Sequence, residues 1–579
     1  MKRPALRSYE FGPFQVVPEE RLLLHDGKPL HLTTKAFDTL LVLIRSASHL
    51  VKKSELMKAV WADSCVEEGN VTVAISMVRK ALGDDCNGHR YIQTVAKEGY
   101  RFVYGVREVE MPEPELPVKL VEIRSLAVLP FGFMNPVATN EYLRSGLADA
   151  IITKLAKIGR IIVRPTSAVL KYANTPVDVL AVGREQDVDA VLVGHIEAFP
   201  DRIRITAQLV RVVDESLLWA DTLDECPQRI FALEDELVKR IANWISVNIS
   251  GQSKMRLPRP DTESSQAHQF YLEGRHFCNK RTEEGLRRSI ECFQKATTED
   301  DHYVLAYAGL ADSYVWLGTY GLGPTFQAYP VAKAAALKAL QLDDSLAEPH
   351  ASLGIIYFYY EWDWAKAEHE FQRAIGLNPN YALAHSWYAL NLGAMGRYEE
   401  ALNQVRRAQE LDPLSLQINT VLGRILYFGR QYDRSIDAYR KVIDLDPRYA
   451  RAHTRLGITY AARGAFEDAI HEFEESQRLS CFDPCLAGLL GHAYALAGNT
   501  HKARRLVEKL TEQSSKQYVH ESSVALIWIG LGKPDQAVEW LAKAHQGRCT
   551  DMVYAKTEPL LDPVRSDPRF TALLDQMGL

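Results

Sequence analysis

The sequence predicts a multidomain chain in which an α+β head precedes a small mixed α/β domain and an all-α repeat array. Three observations predict it: an amphipathic helix followed by a hairpin near the amino terminus, alternating strands and helices in the middle, and a 34-residue period in the second half. At 579 residues the chain exceeds a single hydrophobic core, so several domains are expected.

The charge balance is that of an ordinary globular protein with one basic module. The formal net charge is −6, which argues against a protein that coats nucleic acid over its whole surface. Residues 1–107 contain 16 Lys and Arg against 12 Asp and Glu, so this part carries +4 and the remainder −10. That sign suits a DNA-binding head on an acidic body.

Cysteine usage and hydropathy indicate a reducing, aqueous compartment. The eight cysteines contain no Cys-x-x-Cys pair, which is typical of free thiols. Cys481, Cys485 and His492 match no usual spacing of metal ligands, so buried thiols are the favoured interpretation. No apolar run reaches the ~20 residues of a membrane span, and the first residues lack a signal-peptide pattern. We therefore expect a cytoplasmic protein with no membrane association, metal or cofactor.

The head begins with short strands. Tyr9–Val17 and Arg21–His25 read as extended runs, and a tight hairpin at Asp26-Gly27 joins the second run to Pro29–Leu32. A helix capped by Thr33 or Thr34 follows, and then a second, shorter helix. The apolar residues that share one face of the first helix are Phe37, Leu40, Leu41 and Ile44.

The helix predicted over Asn70–Leu82 has an apolar face and a polar, basic face. Val71, Ile75, Val78 and Leu82 recur at helical spacing, which leaves the opposite side outward. Gly83 ends the helix, and the β-branched and aromatic run Tyr91–Phe102 reads as a hairpin centred on Lys97-Glu98-Gly99. A helix of this kind beside a two-stranded wing fits a DNA groove.

Residues 9–106 resemble the OmpR/PhoB-type winged helix-turn-helix. The motifs that carry the resemblance are Leu-Thr-x-Lys-x-Phe-Asp at 32–38, Val-Trp at 60–61, Ile-Ser-x-Val-Arg-Lys-Ala-Leu-Gly at 75–83 and Tyr-Ile-x-Thr-Val-x-x-x-Gly-Tyr-Arg-Phe at 91–102. The resemblance implies that the 70–82 helix enters the major groove. It also implies that the hairpin follows the DNA backbone and reaches the neighbouring minor groove.

The resemblance further implies which side chains contact DNA. Arg79 would meet a phosphate or a guanine edge, Thr94 would donate to a phosphate, and Lys97 would replace a basic wing residue absent at Ala96. Lys52 and Lys53, expected to begin the second helix, carry charge at the end where the helix dipole disfavours it unless phosphates lie near. The candidate DNA-binding residues are Asn70, Thr72, Ser76, Arg79, Lys80, Thr94, Lys97, Lys52 and Lys53. A solvated helix face is the alternative, and so few cations predict weak binding by a monomer.

A proline-rich linker at 108–118 leads to a predicted α/β domain at 119–251. Alternating extended and helical runs predict a small mixed sheet covered by helices. Ser-Leu-Ala-Val-Leu-Pro-Phe at 125–131 and Asp-Ala-Val-Leu-Val-Gly at 189–194 look like the TolB amino-terminal-type domain, which brings no catalytic residues. We find neither a glycine-rich phosphate loop nor a nucleophile with its base, so no enzyme is expected.

A second linker at 252–265 precedes a repeat array at 266–579. Alanines recur every 34 residues from Ala367 to Ala537, except that Ser435 occupies one position. Pro379, Pro413 and Pro447 lie on a second grid of the same period. This period is typical of tetratricopeptide (TPR) repeats, and about eight or nine units would stack into an all-α TPR solenoid with a groove. The candidate groove residues for a protein or peptide partner are Arg424, Tyr427, Arg451 and Thr454. Their alternative is a solvated face.

Together these features predict a bacterial DNA-binding transcriptional regulator. The winged helix would read double-stranded DNA, and the α/β and TPR domains would sense a partner or effector or set the oligomeric state, a homodimer being one option. The alternative is a cytoplasmic TPR scaffold whose winged helix serves protein interaction rather than specific DNA binding.

Overall fold

The chain divides into two compact units, Met1–Leu120 and Val121–Leu579. Each has a separate hydrophobic core. In the computed structural model the described residues are 7–18, 21–25, 28–30, 32–61, 69–84, 90–96, 98–110, 123–133, 141–156, 161–173, 178–199, 201–226, 230–249, 262–320, 322, 325–479, 484–514 and 520–579.

The first unit combines two antiparallel sheets with three helices. The elements are β1 (Arg7–Phe11), β2 (Phe14–Val17), β3 (Leu22–His25), β4 (Lys28–Leu30), α1 (Thr34–Arg45), β5 (Leu50–Lys52), α2 (Lys53–Val60), α3 (Gly69–Leu82), β6 (Ile92–Val95), β7 (Gly99–Phe102) and β8 (Arg107–Glu110). The amino-terminal sheet has the strand order β4-β3-β2-β1-β8, and the second sheet has the order β5-β7-β6.

The predicted start of α1 is confirmed at Thr33, whose hydroxyl accepts a hydrogen bond from the amide of Ala36 at 3.4 Å. Three of the four predicted core residues of α1 are buried, whereas Leu41 is only half-buried and Leu43 is fully buried instead. The apolar face of α1 is therefore rotated slightly from the predicted one.

The predicted linker begins too early at its amino-terminal end. Arg107–Glu110 forms β8 and pairs antiparallel with Arg7–Glu10 of β1, so these residues belong to the head. The strand supplies hydrogen-bonding partners to an edge of β1 that the sequence pattern does not reveal. Residues 111–118 of the predicted linker, and the predicted turn at Asp26-Gly27, lie outside the described residues.

The second unit begins with an α/β domain. Its elements are β9 (Ser125–Val128), β10 (Gly132–Phe133), α4 (Glu141–Ala156), β11 (Ile162–Val163), α5 (Thr166–Val169), α6 (Val179–Glu185), β12 (Ala190–Ala198), β13 (Ile203–Arg211), β14 (Leu217–Glu225) and α7 (Ile230–Ile249). The strands form a mixed sheet in the order β11-β9-β12-β13-β14, with β10 also pairing with β12. The strands β11, β9, β10 and β12 pair in parallel, while β12, β13 and β14 are antiparallel. This arrangement confirms the mixed sheet predicted from the alternating pattern.

The rest of the second unit consists of antiparallel helix pairs. Eight pairs run from α8 to α23 within the described part of the chain, and α24 follows them. The helices are α8 (Ser265–Asn279), α9 (Glu283–Glu299), α10 (Val304–Thr319), α11 (Thr325–Leu342), α12 (Ala347–Ile356), α13 (Trp364–Leu377), α14 (Ala382–Ala394), α15 (Tyr398–Leu411), α16 (Leu416–Phe428), α17 (Tyr432–Leu445), α18 (Ala450–Arg463), α19 (Phe466–Leu479), α20 (Pro484–Leu496), α21 (Thr500–Ser514), α22 (Glu521–Gly530), α23 (Pro534–Gln546) and α24 (Pro568–Met577). Among the described helices, none has the length and apolar character needed to cross a membrane.

Buried ion pairs join the α/β domain to the first repeat. The carboxylate of Asp149 on α4 accepts from the guanidinium of Arg275 on α8 at 2.6 Å. Glu234 on α7 accepts from Lys154 at 2.5 Å and contacts the ring of His268 at 3.0 Å. The α/β domain and the repeats therefore form one unit, although the sequence predicts a separating linker at 252–265. Residues 252–261 of that region lie outside the described residues.

Candidate DNA-binding surface and repeat groove

Helix α3 separates buried from exposed side chains along its whole length. Val71, Ile75 and Val78 are almost completely buried in the core of the head. The exposed residues of the other face are Asn70, Thr72, Val73, Ser76, Met77 and Lys80. Four of the predicted DNA-binding residues, Asn70, Thr72, Ser76 and Lys80, thus lie together on one solvent-facing surface.

Two apolar residues, Val73 and Met77, also lie on this surface and are not among the predicted DNA-binding residues. Val73 is 53% exposed and Met77 is 42% exposed, although apolar residues of a folded head would ordinarily be buried. Apolar side chains can contact the methyl group of thymine in the major groove. Their positions in the sequence indicate that they are exposed, because neither residue shares the helical spacing of the buried residues Val71, Ile75 and Val78.

Arg79 connects α3 to the wing. One nitrogen of its guanidinium, Nη2, donates to the carbonyl of Ile92 and to the hydroxyl of Thr94, both at 2.8 Å. Arg79 is half-buried, whereas the sequence predicts an outward side chain. The reason is geometric: β6 passes beside the last turns of α3 and offers acceptors within reach. Thr94 itself is exposed, and its hydroxyl can still donate elsewhere.

The wing is also held at its base by Asp84, which the sequence analysis did not single out. Its buried carboxylate accepts from the amides of Arg90, Tyr91 and Ile92 at 2.7, 3.2 and 2.9 Å. Three such bonds satisfy the hydrogen-bonding capacity of a buried carboxylate and fix the position of the chain where it enters β6. The predicted helix end at Gly83 is confirmed by its φ of +62°.

The predicted basic residues around the wing are only partly described. Lys52 is the last residue of β5 rather than the first residue of the second helix, as predicted, and its amide donates to the carboxylate of Glu55 at 2.9 Å. Lys53 begins α2, and its amide donates to the carbonyl of Glu98 at 3.3 Å, so the start of α2 lies beside the wing. The side chain of Lys52 is exposed and that of Lys53 is half-buried. Lys97 lies outside the described residues.

The predicted groove residues of the repeats are covered by the carboxy-terminal part of the same chain. We call residues 549–564 the C-terminal segment; it contains two 3-10 turns, Thr550–Tyr554 and Pro559–Val564. The guanidinium of Arg424 lies 3.7 Å from the ring centre of Tyr554, and the hydroxyl of Tyr427 donates to Glu558. Tyr427 is only 3% exposed, so the predicted outward orientation is wrong.

The other two predicted groove residues also have intramolecular partners. Arg451 lies with its guanidinium 4.9 Å from the ring centre of Tyr320. The hydroxyl of Thr454 is 2.7 Å from that of Ser476. The contact between Tyr427 and Glu558 joins residues 131 positions apart. The repeat period does not reveal contacts over such a separation.

Comparisons with known proteins agree with this organisation. Residues 27–102 match the family model described as "Transcriptional regulatory protein, C terminal", residues 122–241 match "HilA/YgeH-like transcriptional regulator, second domain", and residues 420–484 match "Tetratricopeptide repeat". The chain therefore carries an OmpR/PhoB-type head, a HilA-like regulator domain and TPR repeats.

Three proteins illustrate the similarity. The transcriptional regulator HilA of Salmonella typhimurium is 25% identical over 493 residues, which are 85% of this chain and 80% of HilA. The transcriptional activator CadC of Escherichia coli is 32% identical over 107 residues, 18% of this chain and 20% of CadC. The solved DNA-binding domain of CadC is 29% identical, with a TM-score of 0.17, and aligns over 18% of this chain and 100% of that domain. A putative adenylate cyclase 3 of Rhizobium meliloti is 28% identical over 299 residues, 50% of this chain and 43% of that protein.

Proposed function

We propose that this DNA-binding transcriptional regulator reads DNA by inserting α3 into the major groove and laying the β6–β7 hairpin along the adjoining backbone. That it is such a regulator follows from the match of its head and second domain to regulator families and from its extended similarity to HilA. One observation supports the docking: α3 presents small polar side chains and Lys80 on a single exposed face.

In this proposal the residues of the head have separate roles. Asn70, Thr72 and Ser76 contact base edges or phosphates, and Val73 and Met77 contact thymine methyl groups. Arg79 positions the wing through Ile92 and Thr94 and remains a candidate for a phosphate or guanine contact. The candidate phosphate contacts are Lys80, Lys52, Lys53, Lys97 and Thr94.

The proposed affinity of one head is low because few cations neutralise phosphates. Phosphate contacts supply most of the salt-dependent binding free energy, so a second head on an adjacent half-site would strengthen binding. We therefore propose cooperative or dimeric binding, with the α/β domain and the repeats as the parts that sense a partner or effector. For the α/β domain, the mixed sheet order supports the proposed TolB amino-terminal-type fold.

The test is a comparison of the head with the whole chain. Genome-wide recovery of bound DNA by the full-length protein would identify operators, and residues 1–120 would then be titrated with one of these fragments. We expect the full chain to bind the operator more tightly than residues 1–120. Equal affinities would remove the role of the second unit, and absence of any sequence-specific binding by either form would favour the TPR scaffold instead.

A further inference from the structure

A cluster of metal-binding residue types lies where the C-terminal segment meets the last repeats. Cys485 is the second residue of α20, His520 precedes α22, and Asp551 is in the first 3-10 turn of the C-terminal segment. One donor atom from each of these side chains lies within 4.8 Å of the others. The three residues are 35 and 31 positions apart along the chain and come together only through the fold.

A second thiol, that of Cys549, lies beside His520, although it is outside the group of three donors that lie within 4.8 Å of one another. The Sγ atom of Cys549 is 3.2 Å from Nδ1 of His520, and Oδ2 of Asp551 is 3.6 Å from the same nitrogen. Zn²⁺ holds sulfur at ~2.3 Å and nitrogen or oxygen at about 2.0–2.2 Å, so the edges of its tetrahedron measure roughly 3.3–3.8 Å. The distance of 3.6 Å between Asp551 and His520 lies within that range, and the distance of 3.2 Å between Cys549 and His520 lies just below it.

We propose that Cys485, His520 and Asp551 bind one Zn²⁺ ion, with Cys549 as the fourth ligand. Thiolate and imidazole donors together select zinc over the hard cations Mg²⁺ and Ca²⁺, which prefer oxygen. Two thiolates and a carboxylate carry a charge of −3, so the bound site would have a charge of −1. Arg424 and Arg455 act electrostatically on Asp551 and offset that remaining charge.

Solvent exposure at the site differs between the ligands in a way that suits metal entry. Cys549 is completely buried, while the side chain of His520 is 20% exposed and that of Asp551 is 49% exposed. An ion can therefore reach the site from the side of the carboxylate and be enclosed on the side of Cys549, while Cys485 is half-buried. Closed protein ligation of this kind is characteristic of a structural zinc site.

The consequence is a clamp on the C-terminal segment. Cys549 and Asp551 belong to that segment, whereas Cys485 and His520 belong to α20 and the start of α22. The same segment carries Tyr554 and Glu558, which cover Arg424 and Tyr427. Zinc would thus hold the segment over the groove residues, independently of how the head binds DNA.

The proposal is tested on the full chain with the metal alone. Purified reduced protein is stripped with a chelator and titrated with Co²⁺, whose thiolate charge-transfer and tetrahedral absorption bands report the ligands, and then with Zn²⁺ in competition. We expect one ion per chain. Since changes beside a metal ligand typically cost 10–100-fold in affinity, Cys485→Ser should weaken binding by at least about 100-fold and abolish part of the charge-transfer band.

Two further variants keep the test interpretable. Asp551→Asn changes a half-exposed ligand and is expected to weaken zinc binding while circular dichroism remains that of the parent chain. Cys226→Ser removes a thiol outside the cluster and should bind zinc as the parent does. The proposal is overturned by binding of less than one ion per chain, by unchanged binding in both Cys485→Ser and Asp551→Asn, or by a Cys485–Cys549 disulfide that persists under the reducing conditions used.

Discussion

Arg79 Nη2 donates to Thr94 Oγ1 at 2.8 Å and so joins the last turn of the helix that faces solvent to the first strand of the wing. The same nitrogen donates to the carbonyl of Ile92, which lies two residues earlier on that strand. This guanidinium therefore helps to set the orientation of the wing relative to α3, together with the bonds that Asp84 accepts at the base of the wing.

Replacing Arg79 should separate its positioning role from a phosphate contact. Arg79→Ala removes a charged donor from two acceptors, and hydrogen bonds to charged groups contribute about 1.5–3 kcal/mol. We expect operator affinity to fall roughly 10- to 100-fold at constant salt, because about 1.4 kcal/mol corresponds to a factor of ten. Arg79→Lys should recover only part of the lost affinity, because one ammonium cannot reproduce the planar guanidinium.

The salt dependence of the same variant discriminates between the two roles. If Arg79 only positions the wing, the slope of log affinity against log salt stays near that of the parent; a phosphate contact lowers it by about one. Arg45→Ala, on an exposed residue at the end of α1, serves as the control. Parental affinity in Arg79→Ala would contradict both roles.

Lys80 and Lys52 should contribute through phosphate contacts. Each single alanine variant is expected to weaken binding to all DNA sequences alike and to lower the salt slope by about one. Fluorescence titration of operator and unrelated DNA at several salt concentrations measures both quantities. Lys58→Ala removes another exposed lysine of the head and should leave the slope close to that of the parent. A loss confined to the operator would instead indicate a base contact.

Tyr554 should be the principal anchor of the C-terminal segment. It is 2% exposed, its ring lies 5.2 Å from that of Phe428, and its hydroxyl is 2.6 Å from that of Tyr359. Truncating a buried aromatic side chain typically costs about 3–5 kcal/mol, so Tyr554→Ala should lower the free energy of unfolding of the second unit by that order. Denaturant unfolding measures this, and Val213→Ala, at an 88% exposed residue, should change it by less than about 0.5 kcal/mol. A small effect in Tyr554→Ala would mean that the segment is weakly held.

Asp412 should make the second unit less stable as the pH rises. Burial raises the pKa of Asp412 to about 6, while Ser167 and Arg164 lower it by less. Because the folded pKa exceeds the ordinary value of 3.8, the folded state binds more protons between pH 4 and 6. The contribution of Asp412 to the free energy of unfolding is therefore highest below pH 4 and falls as the pH rises through 6. The total loss is at most about 3 kcal/mol, at 1.36 kcal/mol per pKa unit.

Asp412→Asn tests this assignment. The amide cannot ionise, so the variant should lack the part of the pH dependence that Asp412 causes. Its gain in stability over the parent should therefore be larger at pH 7 than at pH 4. Thermal unfolding at both pH values measures the difference, with Asp444→Asn at an exposed site as the control. Identical pH profiles for parent and Asp412→Asn would show that Asp412 does not titrate in this range.

Local periodicity accounts for what the sequence could predict. The buried face of α3 at Val71, Ile75 and Val78 and the 34-residue repeats arise from neighbours within one or two helical turns or one repeat, so their spacing is visible in the chain. The contacts of Arg79 were not predictable in the same way, because its acceptors depend on the angle between α3 and β6.

Long-range contacts explain the remaining differences. The burial of Tyr427 depends on Glu558, and the neighbours of Cys485 are His520 and Asp551, all brought together by the return of the chain onto earlier repeats. Spacing rules for metal ligands consider residues close in sequence, so they pair Cys485 with His492 and with Cys481, which lies outside the described residues. His492 is instead buried, with Nδ1 2.8 Å from the carbonyl of Leu526.

The C-terminal segment covers Arg424 and Tyr427. Any partner that binds this groove must therefore compete with a segment of the same chain. A segment of the same chain acts on the groove at an effective concentration on the order of millimolar. If the segment's own dissociation constant for the groove is about 1 µM, any competing peptide would appear roughly a thousandfold weaker in the intact chain. Occupancy of the groove would thus depend as much on what releases residues 549–564 as on the peptide itself.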